Sequence, residues 1–157
     1  MASYWLMKCE FDECSFEELT QRPEKMGYWR GVRNYEARNN IRSMKAGDQV
    51  LFYQSNCSDP GIAGIARVRG DPYPDPSAFD PADKYYDPIS SPESPRWFSV
   101  DIAPILFFRN YVSLNLLKAN ETFSDMRLVK RGQRLSVHSV LGEHFKEIKK
   151  IGRGRKV

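Results

Sequence analysis

Between Arg22 and Lys45 the chain places Arg22, Lys25, Arg30, Arg33, Arg38, Arg42 and Lys45 against only Glu24 and Glu36, and sets Tyr28, Trp29 and Tyr35 among them. Aromatic faces stack on bases while guanidinium groups contact phosphate oxygens, so this mixture suits recognition of a nucleic acid. Arg30, Arg33, Arg38 and Arg42 are the phosphate-binding candidates, and Arg134 joins them from the basic C-terminal stretch. Arg38 and Arg42 are four residues apart and share a helix face. Trp29 sits before a helix, in a loop, where a tryptophan is either a core anchor or the wall of a ligand site.

Other chemistry is sparsely represented. Lys8-Cys9-Glu10 would supply an acid/base pair at the end of a strand. Cys9 and Cys14 are five apart and His138 and His144 six apart, which is not the spacing of a zinc site, and the sequence has no P-loop, GxGxxG, HExxH or CxxC. No metal and no cofactor is expected. Three cysteines are too few to staple a secreted scaffold, so Cys9, Cys14 and Cys57 read as reduced thiols.

The elements that must position these residues follow from pattern. Tyr4–Lys8 is an apolar and aromatic run that predicts a first buried strand. Ser15 with Glu18 forms a capping box for a short helix closed by Pro23. Asn34 caps a helix over Tyr35–Met44, with Ala37, Ile41 and Met44 on one side. Val50–Tyr53 and Ile62–Val68 predict neighbouring antiparallel strands around the Asp59-Pro60-Gly61 turn. Ala63, Gly64 and Ala66 within the second mark a close approach by another backbone. Phe98–Phe108 reads as one strand bent at Pro104, Ser113 caps a helix over Leu114–Lys118, and Leu135–Val137 is the last core strand. An amphipathic helix from Gly142 follows, and Arg153–Lys156 reads equally as a solvated basic tail or a contact surface. Five to six short strands flanked by short helices predict an α+β fold built on a small mixed barrel.

At 157 residues, 41% hydrophobic and 13% aromatic, the chain fits a single folded domain over residues 1–157. No apolar run is long enough to cross a membrane and the start is not that of a signal peptide, so the expectation is a cytoplasmic protein with no membrane partner. The net charge of +4 is unevenly placed. Residues 126–157 hold ten basic residues against two acids, whereas the stretch from Asp71 to Asp101 is acidic and overlaps a segment, Gly70–Pro95, with seven of the ten prolines. Such a long irregular stretch inside a compact domain is usually functional or disordered, and its tyrosines argue against disorder.

Several runs together carry a resemblance: Tyr4-Trp5-Leu6-Met7-Lys8-Cys9-Glu10, Trp29-Arg30-Gly31-Val32-Arg33-Asn34-Tyr35-Glu36-Ala37-Arg38-Asn39, Val50–Asn56, Gly61–Ala66, Tyr73-Pro74-Asp75, Tyr85-Tyr86-Asp87-Pro88, Pro95-Arg96-Trp97, Val112-Ser113-Leu114 and Arg134–Val137. In this order they resemble the EVE domain family over essentially the whole chain. The resemblance implies a PUA-like barrel related to YTH domains, and a non-enzymatic reader of DNA or RNA carrying a modified base, of the 5-methylcytosine, 5-hydroxymethylcytosine or N6-methyladenine type. By the same resemblance Trp29 and Trp97 stand where YTH domains place two walls of an aromatic cage. Asn34, Ser55, Asn56, Cys9 and Glu10 complete the expected base pocket, with Tyr86 and Asp87, next to Tyr85, in a Pro-rich loop folded over the slot. Trp5 is the expected core tryptophan. Phe11 stands where the family usually has proline. A reader of this size is expected to be a monomer that acts by occupancy or hands its target to a separate effector protein. Two other readings stay open: a PUA-like RNA-binding module without modification specificity, in which Trp29 and Trp97 pack the barrel, and a small hydrolase of modified nucleosides using Lys8 and Glu10.

Overall fold

The computed structural model describes residues 3–10, 15–22 and 27–157, apart from the side chain of Arg155. Phe11, Cys14 and Pro23, singled out above, lie outside the described residues. In chain order the elements are β1 (Tyr4–Glu10), α1 (Phe16–Gln21), β2 (Gly27–Tyr28), α2 (Tyr35–Ser43), β3 (Gln49–Ser55), β4 (Gly61–Val68), β5 (Tyr73–Pro74), β6 (Phe98–Ser99), β7 (Asp101–Ser113), α3 (Leu114–Ala119), β8 (Val137–Ser139), α4 (Gly142–Gly152) and β9 (Gly154–Lys156). The main sheet has the order β2-β7-β4-β3-β1-β8, with β9 on β7, and β5 pairs with β6 apart from it.

β1 and β3 run parallel from Tyr4↔Gln49 to Glu10↔Ser55, and both are covered on two sides. Trp5, Met7, Val50 and Phe52 enter one core with Phe16, Trp29, Ile41 and Ile102, while Leu6, Leu51 and Tyr53 enter another with Ile65, Phe108, Phe123 and Ile148. That double burial is why the two strands read as unbroken apolar runs rather than as alternating ones. The remaining main pairings are antiparallel, which makes the sheet mixed.

The sheet curls into a half-barrel because β4 is irregular against both neighbours: its register shifts at Phe52/Tyr53 on β3, and at Ile62/Gly64 and Ile65/Ala66 against β7. Bulges bend a strand and sharpen its twist. The last shift falls where Ala66 meets Pro104, which has no N–H to give the ladder. Gly64 sits at the tightest point. A Cβ there would collide with the Leu106 carbonyl oxygen and the Phe16 ring.

The caps behave as the sequence indicates. Ser15 Oγ accepts from the Glu18 N–H, Asn34 Oδ1 from Ala37 and Ser113 Oγ from Leu116. Trp5 is buried, and its indole N–H donates to Asp48 Oδ2 at 3.0 Å, satisfying the polar end of a buried ring. Three expectations change. The strand Phe98–Phe108 is broken at Val100 into β6 and β7, and β7 runs on to Ser113. The strand placed at Leu135–Val137 lies at Val137–Ser139. The Arg153–Lys156 tail is not merely solvated: Arg153 turns the chain in the left-handed region and β9 then pairs with Leu106–Phe108. A short, Gly-interrupted basic run gives no alternation by which a strand could be read.

Gly64→Ala is expected to destabilise the fold by roughly 1–3 kcal/mol through overpacking, while Gly70→Ala, where an added Cβ meets nothing within 4 Å, stays near wild type; denaturant midpoints measure both. His138 is 1% exposed, with Nδ1 3.0 Å from the Ser139 carbonyl and Nε2 without a hydrogen-bond partner among the described residues. Burial pushes its pKa below the ordinary 6.5. The unfolded chain therefore takes up a proton that the folded one resists, and stability should fall as pH drops from 6.5 towards the folded value. In His138→Gln that decline should be smaller.

Candidate nucleic-acid interface

A cavity of about 280 Å³ opens beside the C-terminal end of β1. Trp29, Phe52, Leu19 and Ile102 make its apolar wall, Lys8, Cys9 and Glu10 bring polar groups from β1, and Arg30, Gly31, Arg33 and Tyr85 line the other side. The polar edge exists because β1 and β3 leave the sheet in register, Glu10 against Ser55. Ser55 Oγ donates to the Cys9 carbonyl at 3.2 Å, which fixes the backbone that presents Cys9 and Glu10. Lys8 Nζ lies 3.5 Å from the Gln133 carbonyl and over the Tyr53 ring, and burial lowers its pKa from the ordinary lysine value.

The loop carrying Trp29 is held from two directions. The Trp29 N–H donates to the Val100 carbonyl at 2.9 Å, and the indole packs edge-on against Phe52 with centroids 5.4 Å apart. Gly31, at φ +82°, donates its N–H to Asp75 Oδ2 at 2.9 Å. A Cβ on Gly31 would lie 2.5 Å from the Tyr85 ring, so only glycine lets the Pro-rich loop settle there. Arg33 then ties the two loops together: Nη1 donates to Asp75 Oδ2 at 3.0 Å and to the Val32 carbonyl at 2.8 Å, and Nη2 donates to the Tyr85 carbonyl at 2.7 Å. Arg30 pairs with Asp83, whose carboxyl is held below the usual range by the Tyr85 N–H and then by Arg30 itself.

The candidate residues thus divide. Trp29, Cys9, Glu10, Arg30 and Arg33 share the cavity. Trp97 does not line it: its ring stacks on Tyr35 with centroids 5.0 Å apart, and its indole N–H donates to Asp87 Oδ2 at 2.7 Å. The Arg33 guanidinium lies 5.5 Å from the Trp97 ring and the same distance from that of Tyr85. The two tryptophans expected in one cage thus do not line this cavity together; Trp97 is held by the Tyr35 stack, by Asp87 and beside the Arg33 guanidinium. Asp87 is engaged with Trp97, the Ile89 N–H and Arg96, which together hold its carboxyl below the usual range. Asn34 caps α2, Asn56 is exposed in a left-handed turn at φ 52°, and Tyr86 is exposed; none of the three lines the cavity.

The arginines depart from the expectation of free phosphate ligands. Arg33 is bonded into the loops, and Arg38 lies on Tyr35 and donates to the Arg96 carbonyl at 3.0 Å. Arg42 lies over the Phe98 ring, and Arg134 is exposed. Tyr85 lines the cavity from the Pro-rich loop expected over the slot, and Asp75, outside the lining, is the supporting residue the sequence left out. Asp75 was legible as the cap of the Pro76–Phe79 turn, since aspartate before proline is a turn signal, but its bonds to residues more than forty positions back are not. Asp125, Glu143 and His144 bring one possible ligand atom each to within 4.8 Å of one another, away from this cavity.

Asp75→Ala removes a carboxylate whose side chain is 0% exposed, and leaves Gly31, Ser77 and Arg33 donors unmatched. Breaking a buried pair costs about 3–5 kcal/mol, and the partial exposure of Arg33 places this one near the lower end. Denaturant unfolding should register that loss, together with exposure of Trp29 in the fluorescence of the folded state.

Residues 3–151 match the EVE domain family. Thymocyte nuclear protein 1 of Gallus gallus is 36% identical over 159 residues, covering 90% of this chain and 65% of that protein. The Homo sapiens protein of the same name is 35% identical over 162 residues, covering 92% of this chain and 72% of that protein. The chain thus spans about two thirds of the length of these relatives. The expectation of a cytoplasmic protein is corrected here, since the relatives are named as nuclear proteins. The crystal structure of the human protein in complex with DNA containing 5-methylcytosine has a TM-score of 0.91 at 33% identity, covering 98% of this chain and 99% of that one. A YTH domain from Zygosaccharomyces rouxii in complex with N6-methyladenosine RNA shares the fold, with a TM-score of 0.54 at 13% identity over 96% of this chain and 86% of that one. No described helix is long and apolar enough to cross a membrane. From its matched residues, its relatives and its curled sheet, the chain belongs to the EVE domain family.

Proposed function

We propose that this chain is a non-enzymatic reader that binds nucleic acid by taking one modified base, of the 5-methylcytosine type, out of the stack and into the cavity beside β1. The observation that carries the reading is the cavity itself: about 280 Å³, with Trp29 and Phe52 on one side and Lys8 and Glu10 on its rim. It lies at the small end of ligand pockets, which run from roughly 300 Å³ upward, and suits one ring better than a larger ligand. The 5-methylcytosine DNA complex of a protein with the same fold at 33% identity supports the choice of ligand.

The chemistry of the rim complements a pyrimidine edge. A carboxylate such as Glu10 accepts from the cytosine N4 amine; the Lys8 ammonium is already engaged with the Gln133 carbonyl and the Tyr53 ring. The methyl group makes no strong hydrogen bond and must be read by fit against the apolar wall, worth roughly 1–3 kcal/mol over unmodified cytosine. Trp29 supplies the stacking face, with Tyr85 closing the loop side. Arg30 at the cavity, the exposed Arg42 and Arg134, and the Arg38 stack are the proposed phosphate contacts.

One observation favours the reading without modification specificity. Trp29 is only 8% exposed and already packs edge-on against Phe52, as a core anchor would. Matched oligonucleotides with and without 5-methylcytosine, 5-hydroxymethylcytosine and N6-methyladenine, at stated salt, separate the two. Stacking is worth about 1–3 kcal/mol per base, so Trp29→Ala should weaken the modified strand by roughly tenfold and erase most of its advantage. Trp97→Phe, which keeps a ring against Tyr35, should leave that advantage in place. A preference unmoved by Trp29→Ala would assign Trp29 to the core alone.

A further inference from the structure

The arginines around the cavity are largely neutralised, yet the chain carries a net charge of +4. Arg30 is paired with Asp83, Arg33 with Asp75, Arg96 with Asp87 and Arg127 with Glu36. Four of the remaining cations lie together in one groove. A shallow groove of about 580 Å³ is lined by Arg67, Arg69, Lys149 and Lys156 together with Pro104, Leu106 and the terminal Val157, and by no acidic side chain. Among the described residues none of the four cations forms an ion pair.

The groove lies on the face of the sheet opposite the cavity. Val50, Ala66, Val68 and Ile102 turn into the core that holds Trp29, so Gln49, Arg67 and Ala103, alternate residues of the same strands and in register with one another, turn the other way. Lys156 comes from β9, opposite Leu106, and Lys149 from the last turn of α4. β4 with the residue that follows it, α4 and β9 thus bring four cations to one strip. Separated basic charges with no partners repel each other, and a polyanion relieves that repulsion by releasing its own counterions.

We infer that this reverse-face groove binds the phosphate backbone of a nucleic-acid segment other than the one whose base enters the cavity. A straight duplex cannot touch both faces of the sheet, so the two contacts belong to separate or bent segments. The inference rests on the proposed reading for the class of its partner, but its contacts read no base and do not involve Trp29.

The test uses the full chain and an unmodified duplex of about 20 base pairs, titrated across a salt series beside the same duplex carrying 5-methylcytosine. Each phosphate contact contributes about 0.9 to the slope of log affinity against log salt, so Arg67→Gln/Arg69→Gln/Lys149→Gln/Lys156→Gln should flatten the slope by roughly 2–4 and weaken the unmodified duplex at least tenfold at low salt. The advantage of the modified duplex should survive in this variant, and Trp29→Ala should leave the slope unchanged. Arg67→Glu/Arg69→Glu, on one exposed strand end, should flatten the slope in the same direction and serves if the fourfold variant folds poorly. An unchanged slope in both variants overturns the inference. So does loss of binding to vesicles rich in phosphatidylserine with duplex binding intact, which would assign the groove to a membrane surface. A flattened slope in a protein that shows no preference for 5-methylcytosine would leave the groove standing and remove the cavity reading.

Discussion

The carboxylate of Asp75 is the point on which the site depends. It is fully enclosed and accepts from the Gly31 N–H, Arg33 Nη1, and the N–H and hydroxyl of Ser77. A buried carboxylate is tolerable only when its lone pairs are filled, and here the partners come from two separate loops. Through Gly31 and Arg33 it fixes the segment that presents Trp29; through Ser77 it fixes the start of the Pro-rich segment that returns Tyr85 to the same place. The cavity wall is two loops clasped by one acid, set on the rigid edge that β1 and β3 provide.

This arrangement also explains how the charge is used. A cluster of arginines beside aromatic residues has the composition of a phosphate-binding surface, but Arg30 and Arg33 face acids contributed by the Asp71–Asp101 stretch, and Arg38 and Arg42 lie on the Tyr35 and Phe98 rings. They act as fasteners: Arg30 to Asp83, Arg33 to Asp75, Arg96 to Asp87, with rings of Tyr85, Tyr35 and Trp97 layered between them. The two stretches of opposite sign in the sequence are complementary halves of one surface. Arg67, Arg69, Lys149 and Lys156, which have no such acid partners among the described residues, line a groove on the far side of the sheet.

Much of the fold was legible because local rules and global packing agree. Ser15, Asn34 and Ser113 each precede a helix they cap, Gly64 interrupts a strand where a backbone crosses close by, and Tyr4–Lys8 reads as a strand covered on both faces. The misses have a common cause. β9 is short, basic and broken by glycine, so its pairing is dictated by β7 and by the left-handed turn at Arg153 rather than by its own composition. At the site, Trp29, Cys9, Glu10, Arg30 and Arg33 all line the cavity, while Trp97, paired with Trp29 by family likeness, lies outside that lining and stacks on Tyr35. Residue type cannot distinguish a tryptophan that walls a cavity from one that seals a loop beside it. Asp75 gained its role only through contacts across more than forty residues, which no local pattern encodes.

The central claim is that one base enters the cavity between Trp29 and the polar end of β1. Backbone amide resonances of the whole chain, followed while a short single strand containing one 5-methylcytosine is added, address it most directly. The account predicts that the Lys8–Glu10 and Trp29–Gly31 amides and the Trp29 indole shift together and saturate together, well ahead of any change at Trp97. Shifts centred on Tyr35, Arg96 and Trp97, with Lys8–Glu10 unmoved, would contradict it.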